Sequence, residues 1–273
     1  SKIILIAGPT ASGKSSFAIK LAQKINGEII NADSMQVYRE LKILTARPKK
    51  KDQSNIKHHL YGFQSVKKNF STGHWIKSVL KIIKEIKKRN KIPVLVGGTG
   101  LYFKALTHGL VKIPNIPLKY RNKIRNLQRN IGQKKFYNKL LQLDPLIKAL
   151  VNPNDIQRSL RAYEVKKFTK ISMVKWFKKT QALFNEESFI KFYIDFPRTD
   201  LIKKINQRIE KMFAEGAIRE VKNFLNLKVR KDNSSNKVIG IREISNYLNN
   251  IASLSKTKEE MAIKTRQYAK RQT

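Results

Sequence analysis

The sequence predicts an α/β fold, a mostly parallel sheet flanked by helices, with an all-helical inserted domain. Three observations point there. An apolar stretch, Lys2 to Ala7, runs into a glycine-rich turn and then into a helical pattern. Strand-like and helix-like segments keep alternating after it. Strand signals then vanish from about Lys112 to Lys179, where basic helical stretches take over, and return at Phe189 to Ile194.

After the first strand and turn, Phe17, Ala18, Leu21, Ala22 and Ile25 recur at helical spacing. Glu28 to Ala32 reads as a second short strand ending at Asp33. Trp75, Ile76, Val79, Leu80, Ile83 and Ile86 mark a strongly amphipathic helix. It leads through Pro93 into a buried-type strand, Val94 to Val96, and a turn at Gly97 to Gly100. In the basic middle, Ile124, Leu127 and Ile131 mark one helix, and Phe136, Leu140 and Leu143 another. Asn152 with Pro153 is expected to start a third, because asparagine caps well and proline suits a first turn. A later helix carries Leu201, Ile205, Ile209 and Met212. The expected division is a core of residues 1–111 and 189–273 around an insertion of residues 112–188.

Composition narrows the function. No apolar run reaches the length of a membrane helix, and the opening strand lacks the architecture of a secretory leader. Cysteine is absent, which excludes disulfides and thiolate metal sites. A cytoplasmic protein with no membrane partner, acting as a monomer, is expected. Lys and Arg number 58 against 19 Asp and Glu, a formal charge of +39. AT-rich coding explains abundant lysine, but it would supply glutamate as well, and acids are scarce. The charge therefore points to a nucleic-acid partner, with RNA and DNA not distinguished by composition.

Gly8 to Ser15 reads G-x-x-x-x-G-K-S in full, after a strand and at the opening of a helix. Glycines let the backbone turn its N–H groups toward one anion, and the helix N-terminus adds positive potential. Lys14 supplies a point charge and Ser15 can hold Mg2+. The sheet is thus expected to be P-loop NTPase-like, binding phosphate without specifying ATP or hydrolysis. Asp33 falls at the carboxyl edge of the sheet, where open α/β sheets bind ligands. Its two readings from spacing are catalysis and helix N-capping, with Ser34 an alternative cap. Thr99 ends another expected strand, where its hydroxyl can orient the Asp33 carboxylate across the same edge. No apolar strand ends in a further Asp, which weakens an ATPase reading. His58 and His59 do not share a helical face and have no ligand cluster beside them, so core packing or RNA contact outweighs metal binding. Tyr102 and Phe103 read as core aromatics.

Short motifs recur in order through nearly the whole chain. They are the P-loop with its Pro9-Thr10, Asp33 to Arg39, Thr45-Ala46-Arg47-Pro48, His58-His59-Leu60 and Gly97 to Tyr102. Further along come Asn152 to Arg158, Arg161 to Val165, Val238 to Glu243 and Thr265 to Gln272. Each is weak alone. Together they resemble the tRNA dimethylallyltransferases, or isopentenyl-tRNA transferases.

The resemblance implies a prenyltransferase using dimethylallyl diphosphate and Mg2+. Its acceptor would be the N6 amine of the adenine 3′ to the anticodon, in a tRNA anticodon stem-loop, giving N6-isopentenyladenosine. It makes Asp33 the base and Thr99 its hydrogen-bonded neighbour. Gly8, Thr10, Ala11, Ser12, Gly13, Lys14 and Ser15 become the diphosphate cradle, with Ser15 at the metal. Lys204 and Arg208 add charge to it. Implied tRNA contacts are Asp33, Ser34, Met35, Gln36, Thr99, Arg121, Gln157, Arg158, Arg161, Lys237, Gly240, Arg242, Arg266, Lys270 and Arg271. Arg158 and Arg161 lie one helical turn apart, where a solvated basic face is the default that the resemblance overrides.

The chain departs from the family pattern at three places. Leu44 stands where a glycine is usual, Arg47 replaces a lysine, and Lys204 replaces the first of two arginines four apart. Family members also usually continue into an aromatic, basic tail beyond residue 273. A small-molecule P-loop kinase would explain the phosphate loop but not the charge or the insertion. A non-catalytic RNA-binding module would explain the charge but not Asp33 facing a full P-loop.

Overall fold

A computed structural model describes residues 2–53 and 55–272. Its sheet contains β1 (Ile3–Ala7), β2 (Gly27–Asn31), β3 (His58–His59), β4 (Ile92–Gly97) and β5 (Phe189–Tyr193), in the order β3-β2-β4-β1-β5. Every neighbouring pair is parallel, with Ile4 opposite Val94 and Ile190. Parallel sheets need cover on both faces, so β1 is apolar throughout rather than alternating. Ile4 and Ile6 point to α1 (Lys14–Lys24) and its Ala18 and Ala22. Ile3 and Leu5 point the other way, to α2 (Thr72–Lys88) with Trp75, Val79, Ile83 and Ile86.

α2 starts where Ser71 accepts from the His74 N–H at 3.2 Å, the capping bond that a free first turn lacks. Trp75 stacks on Tyr102 of α3 (Gly100–His108), with ring centroids 4.2 Å apart. Tyr102 is buried and Phe103 packs against the same cluster. The strand β3 was not expected from sequence. It is two residues long and exists only because His58 and His59 pair with Ile29 and Ile30.

His108–Leu183 forms a compact unit of its own, and the rest of the described chain forms the other. The smaller unit contains α4 (Leu118–Ile131), α5 (Gln133–Leu143), α6 (Ile156–Thr169) and α7 (Met173–Lys178), and no strand among its described residues. Its core includes Tyr137, Leu140, Ile147, Ala162 and Val165. Here one expectation needs correction. Asn152 does not cap a helix; its Oδ1 accepts from the Asn154 N–H at 2.9 Å and closes a turn. Asp155 caps α6 instead, accepting from the Arg158 N–H at 2.9 Å.

In the larger unit the chain continues as α8 (Arg198–Ala214), α9 (Ala217–Asn226), α10 (Ile241–Leu248) and α11 (Leu254–Lys270). These pack Ile205, Ile209, Val221, Phe224, Ile244 and Met261 against Val37, Tyr38 and Leu41. No helix among the described residues is long and apolar enough to cross a membrane.

Candidate active site

The strand order β2-β4-β1 sets three loops side by side at the carboxyl edge: the turn after β2 with Asp33, the 97–100 turn after β4, and the P-loop after β1. The first two are in backbone contact. Ala32 N–H donates to Val96 O at 2.8 Å and Thr99 N–H to Ala32 O at 3.2 Å. A Cβ on Gly97 would lie 2.1 Å from Ala32 O, so only glycine fits there. Asn31, fully buried, fixes the Asp33 turn from beneath. Its Oδ1 accepts from the Asp33 N–H at 2.9 Å, and its Nδ2 donates to Leu60 O at 3.0 Å. Trp75 Nε1 donates to Asn31 O at 2.9 Å. Sequence reasoning passed over Asn31, although a polar residue closing a buried strand is the available signal.

Asp33 caps no helix, which removes its structural alternative. Its Oδ1 accepts from the Met35 N–H at 2.8 Å in a local turn. Thr99 Oγ1 accepts from the Ser34 N–H at 3.0 Å and reaches Ser34 Oγ at 3.3 Å. The Thr99 hydroxyl thus holds the residue after Asp33 rather than the carboxylate itself. The Tyr268 hydroxyl of α11 also lies beside Thr99. Burial first, and the negative charge of Asp33 after it, push the Tyr61 and Tyr268 hydroxyls up, so both stay protonated beside it.

The P-loop opens α1, with Gly13 in the left-handed region at φ 86 as its N-cap. Lys14 Nζ donates to Pro9 O at 3.1 Å. Burial lowers the Lys14 amine to about 8, with Asp33 opposing the shift and Arg208 adding to it. Arg208 Nη1 donates to Thr10 Oγ1 at 2.9 Å, and burial likewise lowers its guanidinium. Ser12 Oγ is buried without a hydrogen-bond partner among the described residues.

Two cavities meet at this point. One, of about 430 Å³, is polar and lined by Gly13, Lys14, Ser15, Gln36, Asp52 and Lys211. The other, of about 260 Å³, is mostly apolar and lined by Met35, Leu44, Ile209, Met212, Val238 and Met261. Both reach Thr10, Asp33, Thr45, Ala46 and Arg208. No group of three His, Cys, Asp or Glu side chains that could cage a metal occurs among the described residues. The half-buried Ser15 hydroxyl in the polar cavity suits Mg2+ nonetheless, because that ion takes few protein ligands and completes its shell with phosphate oxygens and water.

Of the two basic residues expected near the P-loop, Arg208 bonds it directly, while Lys204 lines a neighbouring cavity with Ala11, Arg208 and Lys211. Lys204 lies outside the polar cavity, with its Nζ 4.0 Å from the centre of the Phe196 ring. Lys211, not expected, lines that cavity. Lys237 and Arg271 line the apolar cavity with exposed side chains. Arg266 and Lys270 line a separate groove between α8 and α11, and Arg242 is exposed on α10. Gly240 is buried at φ 107, and a Cβ there would sit 2.6 Å from Leu44 Cδ2. Packing therefore fixes that glycine, and the unusual Leu44 is its neighbour. Gln36 Nε2 donates to Thr45 O at 2.9 Å. The unusual Arg47 uses its fork on Tyr38 O at 3.0 Å and Arg39 O at 3.4 Å. In the smaller unit, Gln157 and Arg158 are exposed on α6. Arg121 and Arg161 stand 3.2 and 3.9 Å from the buried Glu164 carboxylate, with Arg125 at 3.7 Å.

A family model described as IPP transferase matches residues 36–273. The chain is 61% identical to a tRNA dimethylallyltransferase of Pelagibacter ubique over 100% of its own length and 87% of that protein. It is 43% identical to one of Rickettsia massiliae, covering 99% of this chain and 75% of the other. Among solved structures, it resembles a tRNA isopentenylpyrophosphate transferase from Bacillus halodurans at 31% identity and TM-score 0.69, over 99% of this chain and 85% of that one. It resembles a eukaryotic dimethylallyltransferase acting on tRNA at 30% identity and TM-score 0.86, over 100% of this chain and 69% of that one.

Proposed function

Because the chain belongs to the IPP transferase family, we propose that it transfers a dimethylallyl group from dimethylallyl diphosphate to the N6 amine of the adenine 3′ to the anticodon in tRNA. The observation that carries this reading is the meeting of two unlike cavities at Asp33, Thr10 and Arg208. The polar one suits a diphosphate. The apolar one, edged by Lys237 and Arg271, suits a base drawn out of its stack with its backbone phosphates at the rim.

The residues divide the chemistry between them. An adenine amine is a poor nucleophile, since its lone pair is delocalised into the ring. The allylic C–O bond must loosen, with negative charge gathering on the leaving diphosphate. The N–H groups at the start of α1, the Lys14 ammonium and the Arg208 guanidinium stabilise that charge where it forms. Bound Mg2+, held through Ser15 and phosphate oxygens, would supply further positive charge to the leaving group. As the new C–N bond forms the amine becomes acidic, and the Asp33 carboxylate takes its proton. Thr99, by holding Ser34, keeps that carboxylate at the mouth of both cavities.

Arg121, Arg158 and Arg161 of the smaller unit are proposed to contact tRNA phosphates, in keeping with the charge of +39. The protein is proposed to act as a monomer in the cytoplasm. Incubation with tRNA and dimethylallyl diphosphate, followed by mass spectrometry of the nucleosides, tests the reading. Isopentenyladenosine without ATP turnover is expected. ATP turnover with unmodified tRNA would instead identify a small-molecule kinase.

A further inference from the structure

Beyond the last turn of α11, the chain reaches back to the carboxyl edge of the sheet. There the half-buried Gln272 carboxamide is used on both sides. Its oxygen accepts from the Thr10 N–H at 2.7 Å, and its nitrogen donates to Gly98 O at 3.2 Å. The Tyr268 hydroxyl, one helical turn earlier, lies beside it. One neutral side chain therefore joins the P-loop to the 97–100 turn, from 262 residues beyond Thr10 and 174 beyond Gly98.

The surroundings are built to this contact. A Cβ on Gly98 would lie 2.0 Å from Gln272 Nε2, while the neighbouring Gly97 is pressed against the Ala32 backbone. The turn is thus wedged between β2 and Gln272, and each glycine answers a different neighbour. Thr10 is gripped twice, at its N–H by Gln272 and at its hydroxyl by Arg208. Thr99 follows directly on the wedged glycines and holds Ser34 beside Asp33. We infer that Gln272 is a positioning residue for the reaction proposed above, and that it sets the spacing between the diphosphate cradle and the Asp33–Thr99 pair. Attack by the amine requires the donor carbon and the base to stay in register, and errors of about 1 Å in such alignments cost on the order of 10²-fold in rate. A carboxamide suits the task because it supplies one acceptor and one donor without placing charge beside an anion site.

Single-turnover prenyl transfer to a tRNA transcript, pyrophosphate binding by calorimetry, and thermal melting together test this. Gln272→Ala removes the clamp, and Gly98→Ala displaces it without altering residue 272. Both should slow transfer at saturating substrates by about tenfold or more while pyrophosphate affinity stays within about twofold. Their pH–rate profiles should match wild type, since Asp33 is intact. Gln272→Glu keeps the acceptor for Thr10 but adds charge, so it should also weaken pyrophosphate binding. A folded Gln272→Ala protein with the wild-type single-turnover rate overturns the inference. So does a rate loss that follows a lowered melting temperature and disappears on cooling, which marks a purely structural role. If wild type itself does not prenylate tRNA, the proposed reaction fails first and the clamp has nothing to position.

Discussion

Strand β2 carries a carboxylate near each end, and the protein treats the two in opposite ways. Glu28, near its start, is 2% exposed and saturated with partners. Arg89 donates to it twice, at 2.8 and 3.1 Å, His59 Nε2 lies at 2.7 Å and Lys91 Nζ at 3.6 Å. Burial alone would raise this carboxyl, but hydrogen bonds and charge from Arg89 and His59 outweigh it and hold Glu28 at about 2. Asp33, just past the other end, takes a backbone N–H on Oδ1 and faces two cavities. Fully paired charge stiffens one edge of the sheet. Charge left open to a ligand is the chemistry of the other.

The strongest test of this contrast removes each carboxylate in turn. Asp33→Ala should slow single-turnover transfer by about 10²-fold or more, with little change in melting temperature or pyrophosphate affinity. Unaltered transfer at saturation would take the base role from Asp33. Glu28→Ala should do the reverse, costing about 3 kcal/mol of stability at neutral pH, because Arg89, Lys91 and His59 lose their partner, while activity per folded molecule holds. Since the folded-state pKa of Glu28 is depressed from 4.5 to about 2, its contribution is present above about 4.5 and lost as pH falls toward 2. Urea titrations of wild type and variant should therefore converge in that window; a constant gap would assign the effect to packing.

Smaller effects sharpen the picture at the phosphate end. Lys14 sits at about 8, so pyrophosphate affinity should fall as pH rises through that value and the ammonium is lost. Lys14→Arg, which does not titrate there, should abolish that pH dependence even if its affinity is lower. Arg208→Ala should weaken pyrophosphate about tenfold, as expected for one charge-assisted contact. Lys204→Ala should change it by less than about twofold, because its ammonium rests on Phe196. Equal losses from both variants would show that Lys204 swings into the cavity on binding.

The elements legible in the sequence are those written in short-range pattern. The P-loop, the alternating strands and the amphipathic α2 each follow from spacing within a few residues, and Asp33 from its place after a strand. What escaped depends on partners far apart in the chain. Glu28, His59, Arg89 and Lys91 meet only once β2, β3 and the end of α2 are assembled. Gln272 closes a short motif, but nothing local marks its partners Thr10 and Gly98, and β3 is a strand only by virtue of β2. The choice of Arg208 over Lys204 turns on four residues of one helix, which decide whether a side chain faces Thr10 or Phe196. Asn152 misled because Asp155, three residues on, is an equally good cap.

One consequence of the sheet order concerns the making of the protein. β1, which leads into the P-loop, lies between β4 and β5, and its pairing of Ile3 with Phe189 joins residues 186 apart in the chain. During synthesis one flank of β1 stays open until residues 189–193 leave the ribosome. By then the His108–Leu183 unit, whose core needs only its own side chains, has already emerged. The helical unit can therefore fold while the catalytic unit waits with an unpaired edge. That edge is lined by Ile3, Ile4, Leu5 and Ile6, and a ribosome stalled before β5 would leave it open to the wrong strand.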